Sequence, residues 1–365
     1  MRSCNHPTVS YNCGCTARAQ CLLGRNSDGP LFSAFHRAFR PSKRVAHIGR
    51  RPTDSGTKPC GLVVGGTMRI LDRELVVQGR LVRIAHLDLD KNESVKNPEE
   101  VLAHLRNTKA RIDLFTFMQI MPDTERKYDY HMEMDNLAIM KVSTFENWWN
   151  NQIRSYPRNR ARQAEKRGVT IREVAFDDTL VEGIWEVYNE TKVRQGRRNR
   201  HYGKDLETVR RVSATYLDRS IFIGSFFEGK LIGFVKIVVD DTHTQANLMN
   251  VAAMVRHRDK APTNALIAYA VRACADRHIP YLMYQNFVYG NKEADSIAHF
   301  KEINGFQRVD LPRYYVPLTA LGRAALRFGL HHKLVDHLPK GMATTLRGFR
   351  NAWYNRKLHS ELEAS

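Results

Sequence analysis

The sequence has no long hydrophobic run. Its best apolar stretches, 220–227 and 231–239, have the length of single β-strands, whereas a membrane-spanning helix needs roughly 18 apolar residues. The first residues also lack the charged, apolar and small-residue regions of a signal peptide. We therefore expect no transmembrane span and a cytoplasmic location, and peripheral contact with the inner membrane surface stays open.

Cysteine is scarce outside the N-terminal end. Four of the six cysteines, Cys4, Cys13, Cys15 and Cys21, fall within the first 21 residues. Cys13 and Cys15 are separated by one residue, which is not the paired C-x-x-C spacing of structural zinc sites. We predict no metal site and interpret this segment as a poorly ordered tail in a reducing cytosol.

Acidic residues are fewer than basic residues. The chain has 38 Asp and Glu against 57 Lys and Arg, a formal net charge of +19. Such an excess is typical of proteins that bind nucleic acid, anionic membranes or phosphorylated ligands. Segment 1–60 has a net charge of +8 and segment 311–365 of +6, so the 250 residues between them hold only +5. The charge therefore excludes a polycationic core and favours binding through the two ends.

Composition and periodicity divide the chain. Residues 1–60 lack helical or strand periodicity, whereas short β-prone runs and capped helices alternate from residue 61 onward. Ser143 to Glu146 (STFE) is a capping box at a helix start, and we interpret the following Trp148 and Trp149 as core anchors, with stacking on a ligand as the alternative. The predicted segments are a basic, poorly ordered N-terminal segment (1–60), a first domain (61–153), a connecting helix (154–168), a second domain (169–318) and a basic helical tail (319–365).

The second half of the chain has a characteristic order of elements. From Val169 to Pro317 the patterns predict a strand, two helices, a hairpin, a strand, a basic loop, a helix, a strand, a helix and a last strand. The hairpin segment 228–234 (EGKLIGF) and the closing segment 300–306 (FKEINGF) occupy matching places in that order. Together these features resemble the GNAT acyltransferases.

The chain is more similar still to the FemAB branch, tandem GNAT-like proteins that transfer aminoacyl or acyl groups to amines. The resemblance rests on 160–169, 189–196, the Phe300-Lys301 pair and 312–318. It covers the second half well, residues 61–165 loosely and 1–60 not at all. It implies an α/β (α+β) fold of two GNAT-like domains, each a mixed, mostly antiparallel sheet flanked by helices. The implied activity is that of an N-acyltransferase acting on a cell-envelope or polysaccharide precursor.

The resemblance also implies catalytic and acceptor-binding residues. Lys301 resembles the lysine that the branch places at the reacting ester, where an ammonium group stabilises developing negative charge, and Phe300 would wall the pocket. Tyr284 and Asn286 lie where GNAT acceptor amines are usually bound. The alternatives are a solvated helix residue for Lys301 and an ordinary core strand for the Tyr-rich segment.

Two basic segments are candidates for binding an anionic ligand. One precedes and opens the helix that begins at Pro262, where free N–H groups and the helix dipole favour phosphate. The other has donors suited to a diphosphate. Either could instead be a solvated basic loop. The two sets are Arg256, Arg258, Lys260 and Asn264, and Arg194, Arg198 and Tyr202.

Donor and acceptor follow only from the resemblance. It implies no permanently bound cofactor, acyl-CoA or aminoacyl-tRNA as co-substrate, and a phosphorylated small-molecule or lipid-linked amine as acceptor. The GNAT acyl-CoA loop uses glycines to bring backbone N–H groups against pyrophosphate, and this chain has no glycine at 256–261, which favours the FemAB branch. The alternative function is a non-catalytic GNAT-like module that binds RNA or an anionic membrane through its basic ends.

Overall fold

The computed structural model describes residues 66–332 apart from 72, 90, 92, 195–196 and 290–295, and only the backbone of 197. The predicted N-terminal segment and the tail beyond 332 lie outside these residues. The strands are β1 (Gly66–Ile70), β2 (Arg73–Gln78), β3 (Ile84–Leu87), β4 (Leu114–Met118), β5 (His131–Lys141), β6 (Thr170–Val174), β7 (Val193–Arg194), β8 (Arg197–Arg198), β9 (Ser220–Phe227), β10 (Lys230–Val239), β11 (Gln245–Ala253), β12 (Tyr281–Asn286) and β13 (Gln307–Pro317). The helices are α1 (Pro98–Asn107), α2 (Phe145–Asn147, continued by a π-helical turn at Trp148–Gln152), α3 (Ser155–Lys166), α4 (Asp178–Asn189), α5 (Leu206–Ser213), α6 (Pro262–Asp276), α7 (Ser296–Ile303) and α8 (Ala320–Arg327), with 3₁₀ turns at Leu217–Arg219 and Val255–Lys260.

Eleven of the described strands form one mixed sheet in the order β1-β2-β3-β4-β13-β5-β12-β11-β10-β9-β6. The β3/β4 and β11/β12 pairs are parallel, and the other pairs in this sheet are antiparallel. Each parallel pair is joined through a helix, α1 or α6, because parallel strands need a long crossover connection. The predicted fold class, α/β with a mixed, mostly antiparallel sheet flanked by helices, is confirmed.

The two longest strands are exchanged between the halves of the chain. β5 follows β4 in the sequence but pairs with β12 and β13, and β13 follows β12 but pairs with β4 and β5. The two strands run antiparallel through the centre of the sheet, from the Gln307–Ile139 pair to the Tyr315–His131 pair. Strands from both predicted domains therefore share one sheet, and the boundary at 154–168 stays a prediction.

The capped helix after β5 begins with Thr144. Its side chain accepts a hydrogen bond from the N–H of Asn147 at 3.0 Å, which makes Thr144 rather than Ser143 the N-cap residue. Trp148 is fully buried and its Nε1 donates to the carbonyl oxygen of Asn304 at 3.0 Å. The prediction of a core anchor is thus confirmed for Trp148, while Trp149 packs at the edge of the same core beneath Arg162.

Several element boundaries differ from those predicted. β2 was not predicted. β13 begins at Gln307, ahead of segment 312–318 on which the resemblance rests, and its first residues form a strand by pairing with β5. After α4 ends at Asn189, the chain forms the short β7/β8 hairpin, which was not predicted either. The β9/β10 hairpin turns through Glu228 and Gly229, both with positive φ, as predicted.

Helices cover both faces of the second half of the sheet. Val235 and Ile237 of β10 pack in one core with α6, and Phe234, on the opposite face, packs in a second core with Val181 and Ile184 of α4. This alternation is the strand period of two. Among the helices that the structure describes, none has the length and hydropathy of a transmembrane span.

Candidate functional site

β11 and β12 begin as parallel neighbours and then part. They pair from Gln245–Tyr281 to Asn247–Met283, and no further pair joins them in the described residues although β11 continues to Ala253. On its other edge β11 has a bulge at Met249, which has no opposing residue on β10. Bulges bend a strand and often lie next to active sites. We call the opening between the two parting strands the fork.

Lys301 of α7 lies at the end of β12 beside the fork. The residue is fully buried, and its Nζ donates to the carbonyl oxygen of Asn286 at 2.5 Å. The same ammonium lies 4.9 Å from the ring centroid of Tyr284 and 4.7 Å from that of Tyr289, within cation–π distance. Phe300, the preceding residue, packs against the core beneath β12. The structure therefore brings together Lys301, Tyr284 and Asn286, and the alternative of a solvated Lys301 is wrong.

Lys91, which the sequence analysis missed, contacts both strands: β11 at its paired start and β12 at its end beside the fork. Its Nζ donates to the side-chain oxygen of Asn286, and its carbonyl oxygen accepts from Nε2 of Gln245 on β11 at 2.8 Å. We define the Lys301 cluster as Lys301, Tyr284, Tyr289, Asn286 and Lys91. No local pattern marks Lys91, because it lies in an irregular segment after β3 and 195 residues from Asn286.

Asn247 marks the point at which the strands part. Its side chain is 3% exposed, and its Oδ1 has no hydrogen-bond partner among the described residues. A buried amide oxygen without a partner costs about 1–3 kcal/mol. Such groups are uncommon in folded proteins, and this one lies where the two strands part.

The β11 side of the fork carries a second group of polar side chains. Tyr188 of α4 is buried, and its hydroxyl accepts from Nδ2 of Asn250 at 3.3 Å. His201 stacks on the Tyr188 ring with centroids 4.2 Å apart. Burial, with the nearby charges of Lys204 and Arg200, lowers the pKa of His201 to about 4. The imidazole is therefore neutral at pH 7. We define Tyr188, Asn250, His201, Lys204 and Arg200 as the Tyr188 cluster.

The hydroxyl groups of Tyr284 and Tyr188 stay protonated over the physiological range. Burial raises the pKa of Tyr284 to about 12, and burial likewise raises that of Tyr188 to about 12. Each tyrosine can therefore donate a hydrogen bond at neutral pH but cannot act as a base there.

Arg194, a predicted anion-binding residue, has its guanidinium bound by acceptor groups of the same chain. Its Nη2 donates to the carbonyl oxygens of Ala253 at 2.6 Å and Val187 at 3.3 Å, and lies 3.8 Å from the Glu190 carboxylate. Burial lowers the pKa of its guanidinium. These contacts hold the end of α4 against the end of β11, so Arg194 helps to position the β11 side of the fork.

Glu190 occupies the backbone N–H groups at the start of the 3₁₀ turn Val255–Lys260. Its carboxylate, 7% exposed, accepts from Val255 N–H at 2.6 Å and from Arg256 N–H at 2.8 Å. The free N–H groups predicted to bind phosphate are those at the start of the helix at Pro262, which follows this turn, and that expectation stays a prediction. In the turn itself, a carboxylate of the same chain already binds two N–H groups.

The remaining predicted anion-binding residues lie on two segments: Arg256, Arg258, Lys260 and Asn264 in this turn and at the start of α6, and Arg198 and Tyr202 on and after β8. Nη2 of Arg256 lies 3.2 Å from Sδ of Met254, and Nζ of Lys260 lies 3.5 Å from the Asp259 carboxylate and 4.6 Å from the Phe227 ring centroid. Arg198 and Arg258 are exposed, Tyr202 is partly exposed, and Asn264 is half-buried in the first turn of α6. Arg256 is exposed as well, so three predicted cations, Arg198, Arg256 and Arg258, face solvent.

An open cavity of about 990 Å³ lies apart from these residues, between the β1/β2 hairpin and the turn at 216–219. Its lining has five acidic residues and three arginines, and two of the arginines pair with acids: Arg219 with Glu93 at 2.8 Å, and Arg73 with Asp241 at 3.7 Å. None of the predicted site residues lines it. We therefore place the candidate site at the fork.

No protein-family model and no curated protein matches the chain. Solved structures are similar to it, among them the C-terminal domain of a putative lysylphosphatidylglycerol synthetase from Agrobacterium fabrum (13% identity, 72% of this chain and 87% of that one, TM-score 0.48). FemX is also similar (12% identity, 66% and 83%, TM-score 0.48), as is a tandem GNAT protein from the clavulanic acid biosynthesis pathway (11% identity, 68% and 79%, TM-score 0.39). These neighbours include the kinds of protein that the sequence resembles.

Proposed function

We propose that this protein transfers an acyl or aminoacyl group from an activated ester or thioester to an amine. The observation that supports this most directly is the buried ammonium of Lys301 at the fork, flanked by Tyr284 and Tyr289. A fixed positive charge in a water-poor site stabilises an oxyanion far better than it would in water. The sequence resemblance to FemAB proteins independently assigns this lysine to the reacting ester.

The reaction at the fork has three parts. The amine nitrogen of the acceptor bonds to the acyl carbonyl carbon, and Lys301 with the protonated Tyr284 hydroxyl stabilises the oxyanion that forms. The bond from that carbon to the donor oxygen or sulfur then breaks. The proton lost by the amine leaves with the donor alcohol or thiol, so that an amide and the free carrier are released.

The donor that we propose is an aminoacyl ester carried by tRNA rather than acyl-CoA. The loop at 256–261 has no glycine to bring backbone N–H groups against pyrophosphate, and the Glu190 carboxylate at the start of this loop would repel that anion. The exposed Arg198 and Arg258 are suited to phosphates of the tRNA backbone or of a phosphorylated acceptor. We propose that the acceptor is a phosphorylated amine, either a small molecule or a lipid-linked precursor. A lipid-linked acceptor would be reached by peripheral contact of the protein with an anionic membrane.

The test measures binding and transfer with the full chain. A minihelix RNA carrying a 3′-amide-linked amino acid, which cannot be deacylated, is titrated beside acetyl-CoA and free CoA, with thermal shift and fluorescence anisotropy as readouts. Labelled aminoacyl-tRNA is then incubated with phosphorylated amines, UDP-amino sugars among them, and the labelled amide product is measured.

We expect the amide-linked minihelix to bind more tightly than the same RNA without its amino acid, and CoA not to bind. Arg198→Gln and Arg258→Gln should reduce RNA affinity and flatten its salt dependence. RNA or anionic vesicle binding that ignores the aminoacyl group, with no amide product from any donor, would contradict the transferase and favour the non-catalytic module.

A further inference from the structure

Three imidazoles surround one carboxylate oxygen at the outer end of β5. Oε1 of Glu133 lies 2.8 Å from Nε2 of His331, 3.1 Å from Nε2 of His332 and 3.3 Å from Nε2 of His131. His131 and Glu133 are two residues apart on β5 and so share one face of the strand. His331 and His332 follow α8, so the cluster joins two parts of the chain about 200 residues apart.

The side chain of His331 is oriented for metal binding. It is 2% exposed, and its Nδ1 faces the carbonyl oxygen of Ala325 at 3.5 Å while its ring packs on Tyr315 with centroids 4.7 Å apart. When Nε2 binds a metal ion, the ring proton lies on Nδ1, where the Ala325 carbonyl oxygen can accept it. Metal-ligating histidines are commonly held in this way.

The spacing of the donor atoms matches tetrahedral coordination. Zn²⁺ binds histidine nitrogen and carboxylate oxygen at about 2.0–2.2 Å, which puts neighbouring ligand atoms about 3.4 Å apart. The ligand atoms of His131, Glu133 and His331 all lie within 4.8 Å of one another, and the distances from Glu133 are already 2.8–3.3 Å. Small side-chain rotations would therefore admit an ion.

The donor set also selects the class of metal. Three imidazoles and one carboxylate suit zinc and its first-row neighbours, whereas Ca²⁺ and Mg²⁺ prefer oxygen ligands alone.

We propose that His131, Glu133, His331 and His332 bind a Zn²⁺ ion that fastens the segment after α8 to β5. The ligand atoms of His131, Glu133 and His331 already lie within 4.8 Å of one another. His332, whose Nε2 lies 3.1 Å from the Glu133 carboxylate, would rotate inward as the fourth ligand and complete the tetrahedral shell of a structural zinc site. The site is separate from the fork, because β5 meets β12 through residues 137–141, at the other end of the strand. The proposal does not depend on the proposed function.

Zinc content and zinc-dependent stability test this site. The full chain, purified without a histidine tag, is stripped with chelator and titrated with Zn²⁺ alone in competition with a chromophoric indicator. The variants are Glu133→Gln and His332→Ala, which change partly exposed side chains, together with His331→Ala. The matched controls are His104→Ala and His299→Ala, which remove exposed histidines on α1 and α7.

We expect the unmodified chain and both controls to bind one more equivalent of zinc than the three site variants, whatever the N-terminal cysteines bind. The affinity of this site for zinc should fall about tenfold or more in Glu133→Gln. Zinc should also raise the melting temperature of the unmodified chain by several degrees, and less in the site variants. Equal zinc binding and equal thermal shifts in site variants and controls would overturn the proposal.

Discussion

Nζ of Lys301 donates a hydrogen bond to the carbonyl oxygen of Asn286, the last residue of β12. A second fully buried lysine, Lys236 of β10, donates to the carbonyl oxygen of Ser213 at 3.0 Å, at the end of α5. The two ammonium groups have the same kind of partner, but only Lys301 lies at the fork. Replacing each lysine in turn therefore distinguishes an effect on catalysis from an effect on stability.

Replacing Lys301 should abolish transfer. Lys301→Met keeps the length of the side chain and removes its charge, so the oxyanion loses its cation and kcat should fall about 10²-fold or more. Lys236→Met should retain the transfer rate, once both variants are shown to be folded by their melting curves. The measurement is the rate of labelled amide formation. Equal rate losses in the two variants would assign Lys301 a purely structural role.

Removing the carboxylate of Glu190 should leave two backbone N–H groups of the turn after β11 without their acceptor. Glu190→Ala releases the N–H groups of Val255 and Arg256, so pyrophosphate and free CoA should gain measurable affinity in isothermal titration calorimetry. The loss of two charge-assisted hydrogen bonds should also lower the free energy of unfolding by about 2 kcal/mol or more.

Asp259→Ala is the control for Glu190, because it removes an exposed negative charge of the same turn without releasing those N–H groups. It should leave CoA and pyrophosphate binding undetectable. If a folded Glu190→Ala protein gains no more affinity than Asp259→Ala, the argument against acyl-CoA as donor loses its basis.

Lys236 should make stability rise with pH in the alkaline range. Burial lowers its pKa from the ordinary 10.5 to about 8. Between these values the unfolded chain binds more protons than the folded one, so the free energy of unfolding increases with pH, by at most about 1.4 kcal/mol per unit. Below pH 8 the ammonium is charged in both states and contributes no slope.

Denaturant unfolding of the wild type and Lys236→Met at pH 7.5, 8.5 and 9.5 isolates this contribution. As the pH rises, the free energy of unfolding of the wild type should increase relative to that of Lys236→Met. Parallel pH profiles would show that Lys236 does not titrate in this range.

Gly322 should tolerate no side chain. It lies on α8, where a Cβ atom would come within 1.9 Å of the carbonyl oxygen of Asp113, a backbone atom that cannot move aside cheaply. Gly322→Ala should therefore destabilise the protein by about 1–3 kcal/mol. Gly66→Ala, whose Cβ would meet no atom within 4 Å, should stay within about 0.5 kcal/mol of the wild type. Matching unfolding curves for the two variants would contradict the close packing of α8 on β4.

Local signals predicted the elements that depend on neighbouring residues. The Glu228-Gly229 turn and the strands 220–227 and 230–239 agree with the structure, because turn chemistry and an apolar run act within a few residues. The start of α6 at Pro262 was predicted for the same reason. β13 was predicted only in part, since its polar first residues become a strand through pairing with β5.

The candidate site was predictable only where one segment or a family pattern contained it. Lys301, Tyr284 and Asn286 lie within twenty residues of one another, and the resemblance to FemAB proteins singled them out. Lys91 and Glu190 have no local signature, because each acts on a residue 65 or more positions away. Arg194 has the residue type of an anion binder, but the fold directs its guanidinium to backbone carbonyls.

The sequence by itself determined the alternation of strands and helices, the capped start near Thr144, the burial of Trp148 and the concentration of positive charge at the chain ends. These properties follow from side-chain periodicity, capping and composition, which act locally or as sums over the chain. Only the tertiary structure decided the exchange of β5 and β13, the binding of the 255–256 amides by Glu190, and the meeting of Glu133 with His331. Each of these depends on which distant segments become neighbours, because hydrogen bonds and metal-ligand distances are set by positions in space rather than by spacing along the chain.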